Sequence, residues 1–182
     1  IVIVGPTGAG KTTLAQARAA ALDSEIVSAD SVQVYRGLDI GSAKPTAAER
    51  IHVHHHLIDL WEPTEQANAG AWVALAIKVI AALHARGRVP VVCGGTGLYV
   101  RALLDGLAPI PDVPQAIHDS VRARLAVEGA AALHAELAQR DPPAAALLAP
   151  NDGQRVARAL EVMIATGEPL SAFHARHRAE RA

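Results

Sequence analysis

The first twelve residues, IVIVGPTGAGKT, contain the feature that most constrains the fold. Residues 5–12 satisfy the pattern G-x-x-x-x-G-K-[ST], in which glycines let successive backbone N–H groups turn toward one anion. A strand must precede this loop and a helix must follow it, because the amides then add to the positive end of the helix dipole. The apolar run Ile1–Val4 predicts a strand buried on both faces, and Lys11 to about Leu22 predicts a helix. The segment therefore predicts a site for a di- or triphosphate.

The rest of the first half alternates short apolar runs with longer helical patterns. It predicts strands at residues 25–29 and 89–93, helices at 67–85 and 98–104, and a loop at 32–44. Such alternation is typical of a parallel sheet, where ligands gather at the carboxyl ends of the strands. Three candidate groups fall at such ends: the 5–12 loop, Asp30, and residues 94–96.

The pattern changes at the linker-like segment PIPDVP, which starts at Pro109. The residues that follow predict one helix after another, at 115–128, 130–139, 142–148 and 152–166, and no convincing strand. We therefore expect an α/β core over residues 1–108 and a helical domain over residues 109–182.

Composition bears on the size of the core, on RNA binding and on the cellular compartment. The 182 residues are 51% hydrophobic and 19% charged, which is enough apolar material for a buried core. The net charge of −1 provides no overall basic surface, so contact with RNA would need a local patch or chain outside this sequence. Cys93 is the only cysteine and is interpreted as a buried small hydrophobe rather than a reactive thiol. A reducing cytoplasm suits such a chain, and no apolar run reaches the about 18 residues of a membrane helix.

The phosphate loop alone does not name a reaction. ATPases usually add a carboxylate at the end of a further apolar strand, but here that strand ends in VVCGGT, and the strand-end carboxylate is Asp30. Two reaction classes stay open. In a nucleoside- or shikimate-type kinase, Asp30 would accept a hydroxyl proton, although the arginines of the helical half form no compact lid motif. In a transferase, the same loop would hold another diphosphate donor.

Several segments in order decide between these classes. They are DSVQVY at 30–35 with GLDIGSAKP at 37–45, HHLID at 55–59, GGTGLY at 94–99, PNDGQR at 150–155 and ALEV at 159–162. Together with the 5–12 loop they closely resemble the tRNA dimethylallyltransferases, also called tRNA isopentenyltransferases. The resemblance implies a P-loop NTPase-like parallel sheet core with a helical insertion domain. It also implies a monomeric, Mg²⁺-dependent enzyme that moves a dimethylallyl group from its diphosphate to N6 of an adenosine beside the tRNA anticodon.

The resemblance also assigns roles to residues. The implied catalytic residues are Asp30, Thr96 and Arg101. The implied diphosphate site consists of Gly5, Pro6, Thr7, Gly8, Ala9, Gly10, Lys11 and Thr12, with Thr12 as the Mg²⁺ ligand. The implied tRNA-binding residues are Asp30, Ser31, Val32, Gln33, Thr96, Gln154, Arg155, Val156, Ala157 and Arg158.

Plain structural roles compete with these assignments. Asp30 could be a loop carboxylate, Thr96 a helix cap, and Arg101 a surface residue. Arg155 and Arg158 lie three residues apart on one helix face, which suits RNA phosphates but also ordinary solvent. Tyr35 and Tyr99 are interpreted as packing residues rather than as platforms on which a base stacks.

The chain departs from the family pattern in several places. Residues 67–72 lack the tyrosine and acid that relatives commonly have, and His118 stands where an arginine is usual, with Arg122 one turn away. Family members continue for roughly a hundred more residues, including an arginine motif for the diphosphate. We therefore expect an incomplete chain that is inactive or poorly stable on its own, and an inactive tRNA-binding fragment is a third interpretation.

The run His52-Val53-His54-His55-His56 raises a zinc hypothesis. Consecutive histidines point in different directions, and no cysteine or suitably spaced carboxylate completes a tetrahedral site. The sequence therefore does not predict zinc, and the role of HHLID in the family is mainly structural, with His54 in place of a proline.

Overall fold

The computed structural model describes residues 1–181, which form two compact units. The first spans Ile1–Gly106, and the second begins at Leu107. The division lies close to the expected one after residue 108. A tRNA-contacting role for the second unit stays a prediction.

The first unit is built on a four-stranded parallel sheet in the order β1-β4-β2-β3. The strands are β1 (Val2–Val4), β2 (Ile26–Ser28), β3 (His55–His56) and β4 (Val91–Gly94). The helices of this unit are α1 (Lys11–Ala21), α2 (Ala47–His52), α3 (Ala69–Ala85) and α4 (Gly97–Asp105). The predicted α/β class is confirmed, and the sequence did not predict α2, whose capping box uses Thr46 and Glu49.

One expectation about β1 is wrong. Ile1, Val2 and Val4 are 50%, 39% and 58% exposed, so this strand is not buried on both faces. The cause is its position: within residues 1–181, β1 lies at the edge of the sheet and pairs only with β4. The fully covered strand is β2, which lies between β4 and β3 and is buried along its whole length.

The core of the first unit contains the two aromatic residues that orient the sheet edge. Trp72 on α3 is fully buried, stacks on Tyr99 of α4 at 4.8 Å between ring centroids, and donates a hydrogen bond from Nε1 to the Ser28 carbonyl at 3.0 Å. Tyr99 is 4% exposed, so its interpretation as a packing residue is confirmed. These contacts hold α3 and α4 against the end of β2.

The described part of the second unit is all helical. Its helices are α5 (Gln115–Glu128), α6 (Ala130–Arg140), α7 (Pro142–Ala145), α8 (Gly153–Thr166) and α9 (Leu170–Ala179). The core is made by Val121, Leu133, Leu137, Val156 and Leu160, all at most 1% exposed. The helix α7 is shorter than predicted, and α9 was not predicted. Across residues 1–181, no helix is long and apolar enough to cross a membrane.

Candidate active site

A cavity of about 420 Å³ opens at the carboxyl edge of the sheet. Val4 pairs with Gly94 and Ser28 with Cys93, so the loops after β1, β2 and β4 start at the same edge. The lining includes Thr7, Gly8, Gly10, Lys11, Thr12, Asp30, Val32, Gln33, Gly41, Ser42, Ala43, Pro45, His55, Cys93, Gly94 and Gly95. The phosphate loop and the Asp30 segment, predicted separately from the sequence, thus face one cavity.

The 5–12 loop has the backbone that the pattern requires. Gly8 and Gly10 have φ angles of 82° and 74°, in the left-handed region that favours glycine. Gly10 caps α1 without a side-chain hydrogen bond, and the first turn of α1 carries no acidic residue. No carboxylate of the first turn of α1 therefore competes with an anion for the positive end of this helix. Lys11 adds its ammonium to the loop by donating from Nζ to the Pro6 carbonyl at 2.6 Å.

Asp30 performs a structural role with one of its oxygens. Oδ1 accepts hydrogen bonds from the backbone N–H groups of Val32 at 2.9 Å and Gln33 at 3.2 Å. Within residues 1–181, Oδ2 makes no hydrogen bond. Oδ1 thus has the structural role of a loop carboxylate, and Oδ2 stays available to a ligand in the cavity.

Thr96 lies at the N-cap of α4 but does not cap it with its side chain. Its Oγ1 accepts from the Ser31 N–H at 2.8 Å and donates to Ser31 Oγ at 3.1 Å. Thr96 is absent from the cavity lining, so its contact with the Asp30 segment runs through Ser31.

Gln33 anchors the far wall of the cavity. Its Oε1 accepts from Ser28 Oγ at 3.0 Å, and its Nε2 donates to the carbonyls of Ser42 at 3.2 Å and Ala43 at 3.0 Å. Both amide protons are therefore used inside the protein. Pairing with a base edge, the role expected for Gln33, would need the remaining lone pair of Oε1 or a change of partners.

Lys44 holds the same wall from behind, and the sequence did not identify it. Its side chain is 1% exposed, and Nζ donates to the Tyr35 carbonyl, Asp39 and Asp59 at 2.7, 2.8 and 2.7 Å. Burial favours the neutral amine, but the two carboxylates outweigh it and raise the pKa of Lys44. The ammonium therefore stays charged and ties residues 39–45 to Asp59.

Gly94 explains why β4 ends without a carboxylate. A Cβ at this position would lie 2.0 Å from the Ala29 carbonyl oxygen. The backbones of β2 and β4 approach so closely there that glycine is required.

His55 is a cavity residue whose role the sequence left as structural. Its Nδ1 lies 2.7 Å from the Val53 carbonyl, which can only accept, so Nδ1 carries the proton. Nε2 is then an acceptor, and it is buried without a hydrogen-bond partner. Burial lowers the pKa of His55, which keeps the ring neutral. His55 lines the cavity and thus has a ring nitrogen, Nε2, that can still accept a hydrogen bond.

Two other predictions concern residues near β4. Burial raises the pKa of the Cys93 thiol, which agrees with an unreactive cysteine. Arg101 is exposed on α4 and does not line the cavity, so the structure does not bring it to the phosphate loop.

The predicted tRNA-binding segment of the second unit, residues 154–158, contains both exposed and buried side chains. Gln154, Arg155 and Arg158 are exposed on α8, where Arg155 pairs with Asp152. Val156 and Ala157 are 0% and 5% exposed. The side chains of Val156 and Ala157 belong to the core, so side-chain contacts of this segment with tRNA would come from Gln154, Arg155 and Arg158. The tRNA-binding role of residues 154–158 stays a prediction.

Comparison with known protein families shows which family the chain belongs to. A family model described as IPP transferase matches residues 33–182, and one described as isopentenyl transferase matches residues 1–60. The chain belongs to the IPP transferase family.

Curated relatives support the assignment to the IPP transferase family. The tRNA dimethylallyltransferase of Methylibium petroleiphilum is 53% identical over 174 residues, which cover 96% of this chain and 53% of that protein. The protein of the same name from Stenotrophomonas maltophilia is 51% identical over 176 residues, covering 97% and 56% of the two chains. This chain spans about half the length of the curated relatives it matches.

Solved structures agree with the IPP transferase assignment. A full-length tRNA isopentenylpyrophosphate transferase from Bacillus halodurans superposes with a TM-score of 0.58 at 44% identity, over 92% of this chain and 56% of that one. A eukaryotic dimethylallyltransferase described as acting on tRNA superposes with a TM-score of 0.75 at 28% identity, over 96% and 43%. The predicted family and fold are confirmed.

Proposed function

We propose that the protein transfers a dimethylallyl group from dimethylallyl diphosphate to N6 of an adenosine next to the anticodon in tRNA, releasing diphosphate. The observation that supports this most directly is the shared cavity: Lys11 with its loop and Asp30 line the same space. The names of the relatives supply the substrate class, and the cavity supplies a diphosphate cradle beside a carboxylate.

The loop suits an allylic diphosphate leaving group. The allylic C–O bond breaks with its electron pair going to the diphosphate, so negative charge grows on the leaving group. The uncapped amides at the start of α1 and the Lys11 ammonium stabilise this charge most as it develops. Nothing is phosphorylated, which fits the absence of a carboxylate at the end of β4.

Mg²⁺ fits the oxygen donors of this cavity. The Thr12 hydroxyl lies in the lining, and together with diphosphate oxygens it would form the hard-donor set that Mg²⁺ prefers. When bound, the ion would add positive charge to the leaving group.

Asp30 is proposed as the base. The lone pair of N6 is delocalised into the purine, so the amine attacks well only if its proton is removed. In the step, the N6–C bond forms at the allylic carbon and the N6 proton passes to Oδ2 of Asp30. Oδ1 meanwhile keeps its two backbone hydrogen bonds, which hold the carboxylate in place.

The adenine must leave the stack of the anticodon loop to reach this carboxylate. We propose that Ser31, Val32 and Gln33 contact the extruded nucleotide, that Thr96 supports them through Ser31, and that Arg101 assists with the diphosphate. Gln154, Arg155 and Arg158 of α8 are proposed to contact the tRNA from the second unit. We further propose a cytoplasmic, monomeric enzyme.

The test is a transfer assay on the purified protein. Labelled dimethylallyl diphosphate is incubated with an anticodon stem-loop RNA, and γ-labelled ATP is supplied in a parallel reaction. We expect label at one adenosine of the RNA and none from ATP. Transfer of phosphate from ATP would instead support a kinase, and RNA binding without turnover would support an inactive binding fragment.

Asp30→Asn tests the proposed base. It keeps the Oδ1 acceptor, so the loop survives, while transfer should fall by about 10²- to 10⁴-fold, the range for a general base. Asp112→Asn, at an exposed position outside the cavity, is the matched control and should leave transfer unchanged. Equal activity of the two variants would remove Asp30 from the mechanism.

A further inference from the structure

A second group of chemically capable side chains lies outside the cavity lining. Glu25, His54 and His56 place one ligand atom each within 4.8 Å of one another. Glu25 is 8% exposed, His56 is half-buried and His54 is exposed. None of the three lines the candidate active site, and the proposed transfer does not use them.

Strand pairing creates this group. Ile26 pairs with His55, and the Ile26 N–H donates to the His54 carbonyl at 2.9 Å. Side chains alternate along an extended strand, so His54 and His56 share one face while His55 lines the cavity on the other. Glu25 stands immediately before β2 and meets the His54–His56 face. No local sequence pattern relates this carboxylate to the histidines, because Glu25 lies 31 residues from His56 along the chain.

The hydrogen bonds of Glu25 leave one of its oxygens for the histidines. Oε1 pairs with Arg86 at 2.9 Å and Arg88 at 3.2 Å, while Oε2 lies 2.6 Å from Nε2 of His56. The two arginines thus hold the carboxylate with Oε2 toward the His54–His56 face. Coordination through Nε2 of His56 requires the proton of this hydrogen bond to leave that nitrogen, because a ring nitrogen binds a metal through its lone pair.

We propose that Glu25, His54 and His56 form a zinc site at the β2–β3 edge of the sheet. Two imidazoles and one carboxylate are a known three-ligand set for Zn²⁺, with water in the fourth tetrahedral position. Mg²⁺ and Ca²⁺ prefer oxygen donors, so the two histidines select a transition metal. The ligands come from both sides of the β2–β3 pairing, so the bound ion would clamp the edge strand to its neighbour.

The geometry needs two local adjustments. Ligands at about 2.0–2.1 Å from a tetrahedral Zn²⁺ lie about 3.3 Å apart, so Glu25 and His56 must separate from their hydrogen-bonded distance. The exposed His54 ring, which packs edge-on against His56 at 4.3 Å between centroids, must turn toward the ion. Arg86 and Arg88 stay on Oε1, where they hold the carboxylate but also repel a cation, so this site is weaker than a closed structural zinc site.

The experiment is a zinc titration of the untagged purified protein by calorimetry, followed by Co²⁺, whose visible absorption reports tetrahedral coordination. We expect one bound ion and a tetrahedral Co²⁺ spectrum. His54→Ala should weaken binding by at least about 10- to 100-fold, since even outer-shell partners of zinc ligands contribute that much. His52→Ala is the matched control: it removes an exposed histidine two positions away that is outside the group, and should leave affinity unchanged.

Two further measurements keep the test decisive. His56→Gln should abolish the Co²⁺ spectrum, and zinc should raise the melting temperature of the wild type and of His52→Ala but not of His54→Ala. Glu25 is left intact, because its removal would strand Arg86 and Arg88 without a carboxylate. Absence of zinc binding, or equal binding by the wild type and His54→Ala, would reduce the group to a hydrogen-bonded Glu–His pair and overturn the proposal.

Discussion

The two units use their polar side chains in different ways. In the first unit, hydrogen bonds join residues that are far apart in sequence: Thr96 contacts Ser31 across 65 positions, and Trp72 contacts Ser28 across 44. In the second unit, ion pairs such as Arg140–Glu136 and Arg124–Glu128 link positions four apart on one helix and are partly exposed. The long-range hydrogen bonds of the first unit fix loops around a cavity. The ion pairs of the second unit lie on helices that apolar packing already holds together.

Under the proposed function, this difference has a consequence. A catalytic cavity must hold its groups in place before the substrate arrives, and long-range hydrogen bonds provide that rigidity. Surface arginines on a helix can exchange their carboxylates for RNA phosphates at little cost, because exposed pairs contribute little. The comparison therefore predicts that polar substitutions are severe in the first unit and mild in the second.

Lys44→Met should produce the largest effect. It removes a buried ammonium that holds Asp39, Asp59 and the Tyr35 carbonyl. Breaking a buried ion pair costs about 3–5 kcal/mol of folding free energy, and we expect the lower end, because Asp39 is 68% exposed and Asp59 keeps its pair with Arg50. Urea unfolding followed by tryptophan fluorescence measures it, since both tryptophans, Trp61 and Trp72, lie in the first unit.

Lys78→Met is the control for this prediction. Lys78 is exposed on α3, so its replacement should change stability by less than about 0.5 kcal/mol. If the two lysine variants unfolded at the same urea concentration, the buried network would not be what holds the wall of the cavity.

Gly94→Ala should be the next most severe change. Its new Cβ would meet the Ala29 carbonyl at 2.0 Å, and forcing backbone apart in a packed sheet costs about 1–3 kcal/mol. Gly95→Ala is matched, because its Cβ would approach nothing nearer than the Gly5 oxygen at 3.9 Å. Thermal unfolding of the two variants measures the difference, and equal melting temperatures would contradict the close approach of β2 and β4.

The sequence predicted the helices and strands well because their signals are local. The apolar run before the phosphate loop, the helix formers after it, and the helical spacing of residues 115–128 all act over one or two turns. The helices α2 and α9 were missed, although the Thr46–Glu49 capping box of α2 is itself a local signal. The failures in the sheet came from the position of each strand. No local signal shows that β1 is an edge strand, and β3 is too short to have a pattern of its own.

The candidate site was predictable only in part, for the same reason. The 5–12 loop and Asp30 were found through motifs that sit at strand ends, where topology brings them together. Lys44, the free acceptor of His55 and the pairing of Glu25 with His56 depend on contacts between distant segments. The burial of Val156 and Ala157 could have been predicted, because they occupy the apolar face of an amphipathic helix.

Asp141→Ala tests whether the loss of stability caused by a polar substitution depends on the burial of the residue or on the unit in which it lies. Like Glu161, which pairs with His118, this aspartate is buried in the second unit. It is 0% exposed and accepts backbone hydrogen bonds from Ala144 at 3.2 Å and Ser171 at 3.1 Å. Loss of such a cap costs about 1–2 kcal/mol. Amide hydrogen exchange of α7 and α9 should speed up in this variant and not in Asp119→Ala, whose side chain is exposed on α5.

Arg140→Gln should have the smallest effect. It removes the 2.7 Å pair with Glu136, but that carboxylate also binds Arg124 at 2.6 Å, so its charge keeps a partner. An exposed pair of this spacing contributes about 0.3–0.5 kcal/mol, and salt screens it further. Circular dichroism during urea unfolding at low and high salt measures the change. A loss as large as that of Lys44→Met would mean that surface pairs, and not the apolar core around Leu133 and Leu160, hold the second unit together.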